Sequence, residues 1–221
     1  MVFQRSPRRR NDFDSSEDED NEAVENATPF HVDWVDLPFT GCCAEVVCIS
    51  GLPGCKYKGT NRNLSMDIAH LKAMDITDVL VFCSPAELAR CKVPYLIDEY
   101  HHAGIDVCHF PIECGNIPTM SDCDSIIAKL RNCISFGHKT LLHCVSGWGV
   151  SCLAVAILML RFDAFMTPDY VITKLRQLRG QQAFQTIKQY NFVHEFRDLH
   201  KAHLEEQRNI SKVAPPRSLS R

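Results

Sequence analysis

The chain has 221 residues, 45% of them apolar, enough for one ordinary domain with a sizeable core. A formal net charge of −3 excludes a nucleic-acid surface spanning the whole protein. The longest apolar run, Cys152 to Leu160, is about half of the roughly 20 residues that a membrane span needs, and the charged start from Arg5 onward does not read as a secretory signal.

Residues 1 to 30 read as a disordered tail, with the basic cluster Arg8, Arg9 and Arg10 ahead of an acidic run from Asp12 through Glu25. Ser15 and Ser16 stand just before Glu17, Asp18, Glu19 and Asp20, a setting that suits acid-directed kinases, although a solubilising tail is the simpler reading. Residues 31–206 form the expected domain. Val46 to Ile49 is a strand, Ser65 caps a helix carrying Ile68, Ala69 and Leu71, and Val79 to Phe82 is a short buried strand. A helix over Pro94 to His102 and a strand over Ile105 to Phe110 follow. Ser121 with Asp124 makes a capping box, and its helix puts Ile126, Ile127, Leu130, Cys133 and Ile134 on one face. Lys139 to His143 is the next strand, followed by a glycine-bearing loop and an apolar helix from Ser151 to Arg161. Thr167-Pro168 opens a helix striped by Val171, Ile172, Leu175 and Leu178 and stopped by Gly180. A last helix over Thr186 to Glu206 carries Phe192, Phe196 and Leu199 at i, i+4 and i+7. Residues 207–221, with Pro215 and Pro216, read as a second flexible tail. This alternation predicts an α/β fold with a mainly parallel central sheet and helices on both faces.

Twelve cysteines would suggest disulfides in a small secreted chain, but here they include no C-x-x-C pair, so neither a zinc site nor a disulfide framework is expected. Reduced thiols, most of them small core hydrophobes, fit a cytoplasmic and nuclear location. The segment with chemistry is Leu141-Leu142-His143-Cys144-Val145-Ser146-Gly147-Trp148-Gly149-Val150-Ser151. A buried strand ends in His-Cys, two glycines allow a tight turn, and a helix begins. Such a turn aims backbone N–H groups at a helix N-terminus that favours an anion, and it stabilises the thiolate of a cysteine at its mouth.

His143-Cys144, five residues, then Val150-Ser151 resembles the signature of the cysteine-dependent tyrosine and dual-specificity phosphatases, which is His-Cys, five residues, Arg-Ser/Thr. Leu52 to Lys56, Val79 to Cys83, Lys139 to Cys144, Leu175 to Gly180 and Gln185 to Asn191 are similar, in the same order, to the kinase-associated branch of that family. The resemblance implies a cysteine-phosphatase fold and removal of the activation-loop phosphothreonine of a cyclin-dependent kinase. By the same resemblance Cys144 is the nucleophile, Ser151 the hydroxyl that helps release its thiolate, and Gln185 the group that orients water. Val145, Ser146, Gly147, Trp148, Gly149 and Val150 then cradle phosphate. The helix bearing Lys188, Glu195 and Arg197 resembles the family's kinase-docking helix. A monomer with a cyclin-dependent kinase as partner is expected, with no cofactor, metal, nucleic acid or membrane.

Two departures weaken the enzyme reading. Val150 stands where the family has the arginine that grips two phosphoryl oxygens; losing those bonds is worth on the order of 3–6 kcal/mol, or roughly 10² to 10⁴ in rate. Cys114, in Pro111-Ile112-Glu113-Cys114, stands where the family has its general-acid aspartate. A thiol is the poorer proton donor, and Glu113 beside it points elsewhere on an extended backbone. A crippled kinase-binding module is therefore weighed against a weak phosphatase, with a rhodanese-type sulfur-transfer domain a distant third. Cys114 and Cys144 are also candidates to oxidise together, against the simpler reading that both stay reduced.

Overall fold

A computed structural model describes residues 28–38 and 45–213. The basic cluster Arg8 to Arg10, the acidic run with Ser15 and Ser16, and the second tail from residue 214 lie outside them. The described chain runs β1 (Val32–Trp34), β2 (Val47–Ser50), β3 (Lys56–Tyr57), β4 (Thr60–Asn61), α1 (Leu64–Ala73), β5 (Ile76–Val81), α2 (Pro85–Arg90), α3 (Leu96–His102), β6 (Asp106–His109), α4 (Met120–Ser135), β7 (Lys139–His143), α5 (Val150–Phe162), α6 (Pro168–Arg179) and α7 (Ile187–Val213).

The central sheet has the order β1-β2-β7-β5-β6, parallel throughout except for the antiparallel β1 at one edge. Strand alternation divides the core in two. Val47, Ile49, Leu80, Phe82 and Leu142 point to the layer built by α4, α5, α6 and α7. Cys48, Val79, Val81 and Leu141 point to the layer of α1, α2 and α3. The helix α5 is buried from Val150 to Leu160, apolar on every side, as a helix enclosed by neighbours must be. All ten described cysteines are free thiols, and most are buried among apolar side chains. No helix among the described residues is long and apolar enough to cross a membrane.

Several boundaries differ from the sequence reading. The short strand β1 and the helix α2 are additions; β1 is too short and mixed in character to show a period, whereas α2 opens on a Ser84–Glu87 capping box with Pro85 at its first turn. The cap of α4 is Thr119 with Asp122, because Ser121 already lies inside the helix, and Asp124 pairs with His200 instead. Asn63, and not Ser65, caps α1, which turns Asp67 inward with Ile68 and Leu71 and leaves Ala69 exposed. In α7, Phe192 and Phe196 are buried but Leu199 is 40% exposed, and His200 takes the next inward place. That helix also continues through residues 207–213, read above as tail, since no glycine or proline interrupts it before Pro215.

Toward the amino end of the central strand β5, away from the phosphate-type loop, Asp78 is 3% exposed and ties α4 to the sheet. It accepts from Lys129 Nζ at 2.7 Å, Cys133 Sγ at 3.4 Å and Thr77 Oγ1 at 2.8 Å, and His138 Nδ1 lies 2.9 Å away. Burial alone would raise this carboxyl, but the hydrogen bonds from Lys129, Thr77 and Cys133 outweigh it and hold it below the usual carboxylate range. Asp78, Cys133 and His138 are ligand-type groups close together, yet Lys129 already supplies the cation there. Asp78→Ala should lower stability in urea by about 1–3 kcal/mol, with Asp78→Asn costing less, because Lys129 keeps Asp106 as a second partner.

Candidate active site

The strand β7 delivers His143 and Cys144 to the carboxyl end of the sheet, where parallel α/β sheets place their sites. The turn to α5 follows at once. Gly147 has φ +72°, and a Cβ there would overlap the Ser50 carbonyl, so the loop passes β2 too closely for any side chain. At Gly149 a Cβ would come within 2.6 Å of Gln185 Oε1. The Gly149 N–H donates to the Ala183 carbonyl at 2.9 Å, fastening the loop to the segment that carries Gln185.

Arg179, at the end of α6, braces the loop from outside. Its Nε donates to the Gly147 carbonyl at 3.1 Å and its Nη2 to the Ser146 carbonyl at 3.3 Å, while Nη1 pairs with Asp33 of β1. Behind the loop, His143 is fully buried and its Nε2 lies 2.9 Å from the Tyr100 hydroxyl. Burial pushes the imidazole down to about 3, and His109 adds to the effect, so the ring is neutral.

Four of the predicted site residues meet in one small pocket. Cys144, Val145, Val150, Gln185 and Cys114 share a nearly closed pocket of about 10 Å³ with Phe82, Ile112 and Glu87. Ser151 is buried at the start of α5 and its hydroxyl has no hydrogen-bond partner. Gln185 bridges the two sides of the site: its Oε1 accepts from Cys114 Sγ at 3.3 Å and its Nε2 donates to Ser146 Oγ at 3.3 Å. Burial pushes the Cys114 thiol up, with Cys144 and Glu87 adding to the shift, so Cys114 holds its proton more tightly than an ordinary thiol. Glu113 is exposed and bonds Asn116, away from the pocket.

One feature departs from a loop lined with N–H donors. The Cys144 thiol donates to the Trp148 carbonyl at 2.8 Å, so at this corner the loop presents an acceptor to the sulfur. Glu87 is a second departure and was missed by sequence reasoning. Its Oε2 accepts from the Ser84 backbone N–H at 2.8 Å and its Oε1 from the Cys114 N–H at 3.0 Å, which holds the acid-loop position over the pocket. The Ser84-x-x-Glu87 spacing is the signal that could have found it.

Above the closed pocket lies an open cleft of about 820 Å³, walled by the β3–β4 hairpin, the loop residues Val145, Ser146 and Trp148, and Gln185. The three residues expected on a docking helix divide. Lys188 and Glu195 face solvent on α7, with Lys188 Nζ 3.4 Å from Asn116 Oδ1. Arg197 is turned onto its own domain, donating to the Leu160 carbonyl at 3.1 Å and the Asp163 carbonyl at 2.7 Å, where it caps the end of α5.

Residues 5–172 match the family described as Cyclin-dependent kinase inhibitor 3 (CDKN3). Cyclin-dependent kinase inhibitor 3 of Homo sapiens is 41% identical over 210 residues, spanning 95% of each chain. Its counterpart in Sus scrofa is 42% identical over 207 residues, spanning 91% of this chain and 93% of its own. The crystal structure of a kinase associated phosphatase with its catalytic-site cysteine substituted by serine matches with a TM-score of 0.75 at 42% identity, over 80% of this chain and 98% of that one.

His143 sets an acid limit on this arrangement. Unfolded, its imidazole takes a proton near the ordinary value of 6.5; folded, it stays neutral down to about 3. Between those values the unfolded chain binds the extra proton, so stability falls as pH falls. The urea midpoint should therefore decline from about pH 6.5 to pH 4, and His143→Gln should flatten part of that decline.

Proposed function

Since the chain belongs to the cyclin-dependent kinase inhibitor 3 family, we propose that it is a cyclin-dependent kinase-binding protein, acting in cell-cycle control, whose phosphatase chemistry is crippled. The pocket carries this reading. Val150 is 2% exposed and fills the place from which the family's arginine would grip the phosphoryl group. About 10 Å³ remain, roughly the space of one water. A phosphoryl dianion entering there meets the Trp148 carbonyl and the Glu87 carboxylate, and no guanidinium offsets them. The general-acid position holds a thiol with its proton bound more tightly than usual.

Binding of the kinase needs none of these groups. The surface of α7 around Lys188 and Glu195 is open, and Ile187 beside them is 80% exposed. A protein seated there shields the kinase's activation loop by occupancy, in the cytoplasm or nucleus. The second reading, a weak phosphatase using Cys144, is favoured by one observation: the buried, unpartnered Ser151 hydroxyl beside the loop is free to serve a leaving thiolate.

An aryl phosphate assay separates the two. The native chain should show no hydrolysis that Cys144→Ser abolishes, whereas Val150→Arg with Cys114→Asp should raise turnover by roughly 10² or more. A phosphorylated cyclin-dependent kinase should be retained equally by the native chain and by Cys144→Ser. Brisk Cys144-dependent turnover by the native chain would overturn the crippled reading.

A further inference from the structure

The cleft above the loop has an unbalanced charge. Lys58, Arg62, Arg90 and Arg179 line it, against one carboxylate, Asp33, which Arg179 already holds. Lys58 and Arg90 lie over the Tyr57 ring, 5.4 and 5.2 Å from its centroid. Arg90 keeps only a long 3.9 Å contact with Glu87. Arg62 spends one nitrogen on the Leu52 carbonyl at 3.1 Å, and its buried Nε has no partner. Among the described residues, neither Lys58 nor Arg62 has a carboxylate within ion-pair distance. Lys58 and Arg62 therefore face this concavity with no ion pair, and Arg90 with only its long contact to Glu87, where low-dielectric walls focus their field.

The described chain enters at the rim of this cleft. The Thr28 N–H donates to the Asn61 carbonyl at 2.7 Å, and the Asn61 N–H donates to Thr28 Oγ1 at 2.9 Å. Asn61 lies between Thr60 and Arg62, both lining residues. Immediately before Thr28 in sequence, residues 12–27 carry eight carboxylates and no basic side chain. At about 3.4 Å per residue, three residues of chain reach at most roughly 10 Å from Thr28 and eight at most roughly 27 Å, long enough to cross such a cleft from that tether. Tethering also supplies a local concentration of order mM, so individually weak contacts suffice.

We propose that the acidic segment Asp12–Glu25 docks in the basic cleft over the phosphate-type loop of its own chain, occupying the surface that Lys58, Arg62 and Arg90 present. The proposal rests on the charge of the cleft and the position of Thr28, and it holds whether or not Cys144 is catalytic.

Zero-length carbodiimide cross-linking of the full chain tests it, since Lys58 is the cleft's one amine. In low salt the monomer band should contain a peptide pair joining residues 12–25 to Lys58. The yield should fall by about fivefold or more at 0.5 M salt, where the Debye length is only a few ångström. It should fall comparably in a full-length variant with Asp18→Asn, Glu19→Gln and Asp20→Asn, and in Arg90→Gln. Amide exchange over Lys58–Arg62 should speed up in the same variants. Links made chiefly to Lys201, in the other basic groove beside α7, would overturn the proposal, as would links found only in a covalent dimer. A Lys58 link whose yield ignores both salt and the tail substitutions would overturn it as well.

Discussion

The constraint on which the site depends is the passage of the loop between β2 and the segment before α7. Gly147 runs against the Ser50 carbonyl and Gly149 against Gln185, and neither position has space for a Cβ. The loop is then fastened by Arg179 on two of its carbonyls and by the Gly149–Ala183 backbone bond. None of these supports uses residue 150. The loop's shape is thus set by backbone clearance and an external brace, and the loss of a phosphate-gripping side chain inside the pocket leaves the loop standing. The architecture of the loop is in this way independent of the side chain at position 150.

The same separation is visible across the site. Glu87 closes a helix cap with Ser84 and in the same stroke holds the Cys114 N–H, so the acid loop is positioned by a structural carboxylate. Gln185 links Cys114 to Ser146 and so joins that loop to the phosphate-type turn. Position and reactivity are carried by different residues. The framework is a set of polar contacts that join the loops around the site, while positions 150 and 114 carry an isopropyl group and a thiol.

How much of this was legible in the sequence follows from how local each signal is. The turn at His143–Ser151 could be read directly, because a strand end, two glycines and a helix start lie within nine residues. The strands β2, β5 and β7 were legible as short apolar runs, since strands buried on both faces have no polar alternation. The resemblance to a known family carried the rest of the fold reading. Misplaced caps at α1 and α4 had a common cause: several Ser, Thr, Asn and Asp residues sit near each helix start, and only tertiary packing selects among them. Arg179, Asp33 and Arg62 were not legible, because their roles arise from contacts made across 10 to 146 positions of sequence. The contacts of Arg197 were not legible for the same reason: on a helical wheel it is a surface cation, and only the fold brings its guanidinium to the end of α5.

Valine at position 150 also has a thermodynamic logic of its own. The residue opens a helix whose first eleven members are buried, in a pocket with space for about one water. A guanidinium there is balanced only while an anion occupies the pocket. In an empty pocket its counter-charge would have to come from Glu87, whose two oxygens are already bound by backbone N–H groups of Ser84 and Cys114. An uncompensated buried charge costs several kcal/mol, which an enzyme recovers when substrate binds. Under the proposed reading, in which the chain acts by occupancy, there is no such step, and an apolar side chain that joins the core of α5 is the more stable occupant of this position.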